Sequence, residues 1–141
     1  LSAEAYQKLL SGIRARIPLT GSCEITMEAN PSTFERERFS GYKKAGINRL
    51  SIGVQSFDNE KLQALGRVHN ADDAHRAIEI AKQAGFENIN IDLMFALPNQ
   101  TLDQALQDLK IAFQYKTPHL SWYQLTLEPN TLFFHNPPKV P

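Results

Sequence analysis

Lys43-Lys44-Ala45-Gly46-Ile47-Asn48-Arg49-Leu50-Ser51-Ile52 returns further along the chain as Lys82-Gln83-Ala84-Gly85-Phe86-Glu87-Asn88-Ile89-Asn90-Ile91. Each copy reads as a helix end, a glycine stop, a short turn and the start of a strand. Glycine suits the position just past a helix because the chain there turns through positive φ, where a Cβ is strained. Beyond each turn the residues alternate with period two, the mark of a strand. In 50–55, Ser51, Gly53 and Gln55 interleave with Leu50, Ile52 and Val54. In 89–93, Asn90 and Asp92 interleave with Ile89, Ile91 and Leu93. A third stretch, 24–28, sets Glu24, Thr26 and Glu28 among Cys23, Ile25, Met27 and Ala29. Helix and strand repeated in tandem give parallel strands, because helical crossovers join them. The expected fold is α/β, made of parallel βα repeats.

Working outward, Ser2 is expected to cap a helix to about Arg14, with Leu9, Leu10 and Ile13 on one side. Pro18 and Gly21 precede a strand at 22–29. Asn30-Pro31 turns the chain, and Ser32 with Glu35 forms a capping-box pair for a helix to Ala45. The second strand is 48–54. A short helix near 58–65 stops at Gly66. Asn70 caps the next helix, with Asp72 and Asp73 in its first turn and Ala74, Ala77, Ile78 and Ala81 as its buried stripe. The third strand is 88–94. Thr101 and Gln104 form another capping box, for a helix to Tyr115 buried through Leu102, Leu106, Leu109 and Phe113. The fourth strand is 119–127, and the proline-rich tail from Glu128 is expected to be irregular.

Four parallel strands cannot close a barrel. The sheet is therefore open, or the chain is a piece of a larger barrel. The want of a strand before the first helix favours the piece, a single domain over 1–141 with units missing before Leu1 and after Pro141. With helices on the apolar face, the polar face points to the barrel's middle. Ordinary eight-stranded barrels fill that middle with Val, Ile and Leu. Small and polar residues there leave space for a ligand. The cut edge at strand 22–29 would either recruit a second copy of the chain or be covered by the helix at 2–14.

Bulk properties exclude several classes. Net charge is zero and the pI is about 7.1, which argues against nucleic acid as a partner. No apolar run approaches the ~18 residues of a membrane span. The single cysteine, Cys23, rules out an internal disulfide and suggests a reducing, cytoplasmic setting. Its parity in the strand points to the core rather than to a nucleophile. His69, His75, His119 and His135 lack metal-ligand spacing. Neither a dinucleotide fingerprint nor a Walker loop is present. Trp122 and Tyr123 read as core or wall.

Ligands of parallel α/β folds bind at the carboxyl ends of strands. Glu28, Gln55 and Asp92 stand there, with Gln124 or Thr126 on the fourth strand and Arg67 just past the second. Two anions, an amide and a cation suit a zwitterionic, hydroxyl-rich small molecule: carboxylates accept from ammonium or hydroxyl groups and guanidinium pairs with carboxylate. Glu28 and Asp92 could instead cap loops or pair with rim lysines, but three strands share the habit. Glu24 has the inward parity too, yet sits deep and reads as structurally paired. Taken alone, Glu28 and Asp92 would also serve a small stand-alone enzyme as acid and base.

Several stretches resemble one family. Glu28-Ala29-Asn30-Pro31, Arg49 to Phe57 (RLSIGVQSF), Asn90-Ile91-Asp92-Leu93-Met94 and Leu97-Pro98-Asn99-Gln100-Thr101 are similar to the radical S-adenosylmethionine (SAM) family of oxygen-independent coproporphyrinogen III oxidases. His119 to Thr131 (HLSWYQLTLEPNT) is more similar to the oxidase-like branch, whose members are regarded as heme chaperones. The resemblance covers almost the whole chain and implies a partial (β/α)6 barrel of TIM type. It implies SAM as cofactor, porphyrin or heme as the partner of the whole protein, and SAM-binding positions at Glu28, Gln55, Arg67, Asp92 and Thr126. Chemically, Arg67 would take the methionine carboxylate, Glu28 its ammonium, and Gln55 and Asp92 the ribose hydroxyls, while Thr126 falls where the family's strand backbone nears the adenine. The family's three closely spaced cysteines and its glycine-rich segment are absent. With Cys23 alone, the 141 residues cannot hold a [4Fe–4S] cluster. The resemblance thus implies a fragment that is inactive alone, its parent being either an oxidase or a heme carrier.

Overall fold

The computed structural model of the chain describes residues 1–33 and 36–141. The elements run α1 (Ala3–Arg14), β1 (Thr26–Ala29), a 3-10 turn (Pro31–Thr33), α2 (Arg36–Ala45), β2 (Arg49–Gln55), α3 (Asn59–Ala64), α4 (Ala71–Gln83), β3 (Asn88–Phe95), α5 (Leu102–Gln114), β4 (His119–Gln124) and α6 (Leu132–His135). The capping box expected of Ser32 and Glu35 lies outside the described residues.

One four-stranded sheet holds β1, β2, β3 and β4 side by side in chain order, all parallel. Register aligns Glu28 with Ser51, Ser51 with Asn90, and Asp92 with Ser121. The polar positions of all four strands therefore share one face. The apolar positions share the other: Leu50, Ile52, Val54, Ile91 and Leu93 are wholly buried under the helices. Burial of each such side chain contributes about 1.5–3 kcal/mol. Helix α4 lies close over the sheet because its buried stripe is small, with Ala74, Ala77, Ile78 and Ala81 all fully buried as expected.

Local signals decide most boundaries. Ser2 accepts from the Ala5 amide at the head of α1. Asn70 with Asp73 and Thr101 with Gln104 form complete capping boxes. Gly46 and Gly85 turn through φ of 109° and 84° after α2 and α4. Helix α1 packs on α2, where Ala3 leaves no room for a Cβ on Gly41 and Tyr42 Oη donates to the Leu1 carbonyl at 2.9 Å.

Five expectations need correction. Strand β1 starts at Thr26, not residue 22, because the Asn48 side chain takes over the preceding backbone: its Oδ1 accepts from Ile25 N at 2.7 Å and its Nδ2 donates to Cys23 O at 2.9 Å. Cys23 is consequently half-buried outside the ladder and not in the core. Strand β4 stops at Gln124, not residue 127. Its neighbour β3 ends at Phe95 and Ala96 turns away at φ 57°, so Leu125 makes the last bond, to Phe95 O. Helices α1 and α5 bury only part of the stripes expected of them, Leu10 and Ile13 on α1 and Leu109 on α5. Leu9 is exposed on α1, and on α5 Leu102, Leu106 and Phe113 are exposed while Ala105, Asp108 and Ala112 face the sheet. The tail is not wholly irregular either, since Thr131 caps the short α6.

Candidate functional site

The polar face of the sheet is tied together in layers. At the amino ends of the strands, Glu24 accepts from Thr26 Oγ1 and Asn88 Nδ2 and faces Arg49 Nε at 3.9 Å. That is the structural pairing expected of Glu24, although its side chain is 52% exposed at the rim of the sheet rather than deep. In the middle, Asn90 Nδ2 donates to Asp92 Oδ1 at 2.7 Å and to Ser51 Oγ, Ser121 Oγ donates to Asn90 Oδ1, and Ser51 Oγ donates to Asp92 Oδ2 at 2.8 Å. Small hydroxyls and one amide thus replace the branched aliphatics of a filled barrel. Both Asp92 oxygens are held by neighbours, which fixes the carboxylate in place while leaving lone pairs for further donors.

Above this layer, at the carboxyl ends, a cleft of about 340 Å³ is lined by Glu28, Ala29, Asn30, Gly53, Gln55, Arg67, Asp92 and Tyr123. Four of the five predicted site residues meet there. The fifth, Thr126, lies past the end of β4 and lines a neighbouring groove with Leu65, Gly66 and Glu128. Gln55 ends β2 with φ of 69°, a left-handed conformation that costs a non-glycine residue energy and tends to persist at functional sites. Its side chain folds back over Gly53: a Cβ on Gly53 would come within 3.0 Å of Gln55 Nε2. Tyr123 Oη donates to Gln55 Oε1 at 2.8 Å. With the carbonyl so engaged, the amide is free to offer N–H donors.

Tyr123 is the site residue that the sequence did not single out. Desolvation chiefly, and the charges of Asp92 and Glu28, raise its phenol above the ordinary value, opposed by the Gln55 hydrogen bond and Arg67. All the charged groups of the cleft are thus felt at one hydroxyl. The signal was present in the alternation Ser121, Tyr123, which continues the inward parity of β3. A larger groove, about 520 Å³, opens at the opposite ends of the strands beside Arg14, Cys23 and Asn48. Ligands of parallel α/β folds favour the carboxyl ends, so the smaller cleft is the candidate.

Residues 3–112 match the family model described as the radical SAM superfamily. The chain belongs to the radical SAM superfamily. It is 56% identical, over all 141 residues, to the heme chaperone HemW of Escherichia coli (strain K12), and 40% identical over 133 residues to the mitochondrial radical S-adenosyl methionine domain-containing protein 1 of Mus musculus. Among solved structures it superposes with a TM-score of 0.86 and 26% identity on the radical SAM coproporphyrinogen III oxidase HemN of Escherichia coli. The whole chain is covered in that comparison, against 33% of the oxidase. It likewise spans 37% of the length of the bacterial chaperone. The four-stranded parallel sheet is part of the radical SAM barrel, as the resemblance implied.

The superfamily implies SAM and a [4Fe–4S] cluster. The cleft's donor set suits SAM: one guanidinium, two carboxylates, an amide with free N–H groups, and a glycine whose missing Cβ makes room for that amide. The cluster does not fit these residues. Cys23 stands alone at the other end of the sheet, and no group of three or more His, Cys, Asp or Glu able to hold a metal occurs among the described residues. No helix among those residues is long and apolar enough to cross a membrane.

Proposed function

We propose that residues 1–141 supply much of the SAM pocket of a longer radical SAM protein that binds and transfers heme. The observation that carries the pocket is the convergence of Glu28, Gln55, Arg67 and Asp92 on one cleft at the carboxyl ends of parallel strands. In this reading Arg67 pairs with the methionine carboxylate and Glu28 with its ammonium, each a charge-assisted contact. Gln55, held by Tyr123, donates to the ribose, and Asp92 accepts from ribose hydroxyls. Thr126 lies across Leu65 and Gly66, the residues leading into Arg67. An extended ligand leaving the cleft would reach it with its adenine end. A cluster, held by residues outside this chain, would supply the electron that cleaves SAM.

Identities of 38–56% to proteins named heme chaperones, against 26% to the oxidase, favour heme transfer over coproporphyrinogen oxidation. The single unpaired thiol suits a cytoplasmic protein. A stand-alone acid–base enzyme is the weaker reading. Asp92, fixed by Ser51 and Asn90, is built as a stationary acceptor rather than a proton shuttle.

Two ligands separate the roles. In the full-length protein, Arg67→Ala should weaken SAM binding while leaving the affinity for methylthioadenosine, which lacks the amino-acid end, unchanged. Equal losses for both would remove Arg67 from the carboxylate, and no loss for either would remove it from the pocket.

A further inference from the structure

Asp108 is a buried carboxylate that the proposed pocket does not use. It sits on the sheet-facing side of α5, 2% exposed, where a helix packed on a sheet ordinarily carries an apolar residue. Its partners lie on a different unit. Asp108 Oδ2 accepts from Ser56 Oγ at 2.7 Å and Oδ1 from the Phe57 amide at 2.8 Å. These are the two residues directly after Gln55. Ser56 Oγ in turn accepts from the Asp58 amide, and Asp58 caps α3, accepting from Glu60 N at 2.8 Å. Helix α3 leads through Gly66, at φ 70°, into Arg67, whose amide closes back on Leu62 O. Two further bonds join the same two units: Gln104 Nε2 donates to Asp58 Oδ2 at 3.4 Å and Lys61 Nζ to Asn99 O at 3.0 Å. At the far end of the segment, His69 Nε2 meets Val54 O at 3.0 Å.

Residues 55–69 are thus a strap fixed at both ends. It carries Gln55 at its start and Arg67 near its end, and its first turn hangs on one side chain from the next βα unit. Gln55 cannot hold its left-handed backbone by intrinsic preference, so the surroundings must impose it. A carboxylate buried at this depth is an expensive packing element unless its hydrogen bonds do something packing cannot. Desolvation does push the Asp108 carboxyl above its ordinary range, against the lowering effect of the Phe57 and Ser56 bonds.

We infer that Asp108 is a positioning residue for the SAM pocket, setting through Ser56 and Phe57 the placement of Gln55 and Arg67. This rests on the cleft being a SAM pocket. Asp108→Ala leaves the Phe57 amide and Ser56 hydroxyl without their acceptor. Asp108→Asn retains both contacts, its Oδ1 accepting from Phe57 N and its Nδ2 donating to Ser56 Oγ.

The test titrates SAM into the full-length protein and follows hydrogen exchange across 55–69. Asp108→Ala should bind SAM about tenfold or more weakly, with faster exchange at Phe57 and through α3. Asp108→Asn should restore affinity to within about threefold and restore protection. Leu10→Ala on α1, remote from the strap, should lower the melting temperature without changing SAM affinity. A purely structural Asp108 would behave like Leu10, with stability lost and affinity kept, and that result overturns the inference. Should the wild-type protein fail to bind SAM, or Arg67→Ala leave binding intact, the SAM reading itself falls and the inference with it.

Discussion

Gly53 shows how much of the candidate site turns on single atoms. Its missing Cβ leaves the space that Gln55 Nε2 occupies, 3.0 Å from where a methyl would stand. Gly53→Ala should therefore displace the Gln55 amide from Tyr123 and weaken SAM binding, with the fold intact. Unchanged affinity in a folded Gly53→Ala protein would show that the amide is not a ligand. Asp108 has a pH signature of its own. Its folded carboxyl titrates above the ordinary value, mainly through desolvation. A raised carboxylate contributes stability in its protonated form, fully below the unfolded value, and that contribution is lost as pH rises through the folded value. Denaturant melts across this interval should show wild type losing stability relative to Asp108→Asn as pH rises, then a constant gap above it. A gap independent of pH would contradict the direction of the shift.

The cleft residues legible in the sequence were Glu28, Gln55 and Asp92, whose parity and strand end were both explicit, and Arg67, just past the second strand. Tyr123 reads as core or wall because an aromatic in a strand usually is one or the other. The register of β4 against β3, Met94 opposite Tyr123, joins the alternation Ser121, Tyr123 to the inward face and turns it toward the cleft. Asp108 was invisible, since nothing local marks a helix carboxylate as the partner of a turn some fifty positions away.

At the scale of elements, caps and glycine stops placed the ends of helices well, because they act through local hydrogen bonds. The burial of helix faces was harder to read. On α5, Leu102, Leu106, Leu109 and Phe113 form a regular apolar stripe, yet the side toward the sheet is Ala105, Asp108 and Ala112. Periodicity tells which residues share a face, not what the face meets. The small side wins because it lets α5 approach the sheet, as the alanines of α4 do. Phe113→Ser, at a position 65% exposed, should accordingly change the stability of the 141-residue chain by less than about 0.5 kcal/mol. Ile78→Ala, on the buried side of α4, should cost about 2–5 kcal/mol through lost burial and the cavity left behind. Comparable losses in thermal melts of the two variants would contradict the observed faces.

For the whole molecule, the repeat around Gly46 and Gly85 was enough to give parallel strands in chain order, because only right-handed crossovers join such units readily. The ends of strands β1 and β4 depended on what lies beside them, the Asn48 side chain and the end of β3. Among the described residues β1 pairs only with β2, and α1 packs chiefly on α2. The outer backbone of Thr26–Ala29 is thus available to a second chain. The isolated 141 residues should self-associate in a concentration-dependent way by light scattering, and a proline at Met27 should reduce it. Monomeric behaviour at all concentrations would show the edge to be harmless.

The central claim is that the polar face of this sheet is a SAM pocket, and Asp92 tests it most directly. Its carboxylate stands in the cleft, fixed by Ser51 and Asn90, with lone pairs to spare. Charge-assisted bonds to ribose hydroxyls are worth roughly 1.5–3 kcal/mol. Calorimetric titration of SAM into the full-length Asp92→Ala protein should then show affinity about 10–150-fold below wild type, each ~1.4 kcal/mol being tenfold. The variant's melt should show it still folded. Wild-type affinity in the folded variant would contradict the claim.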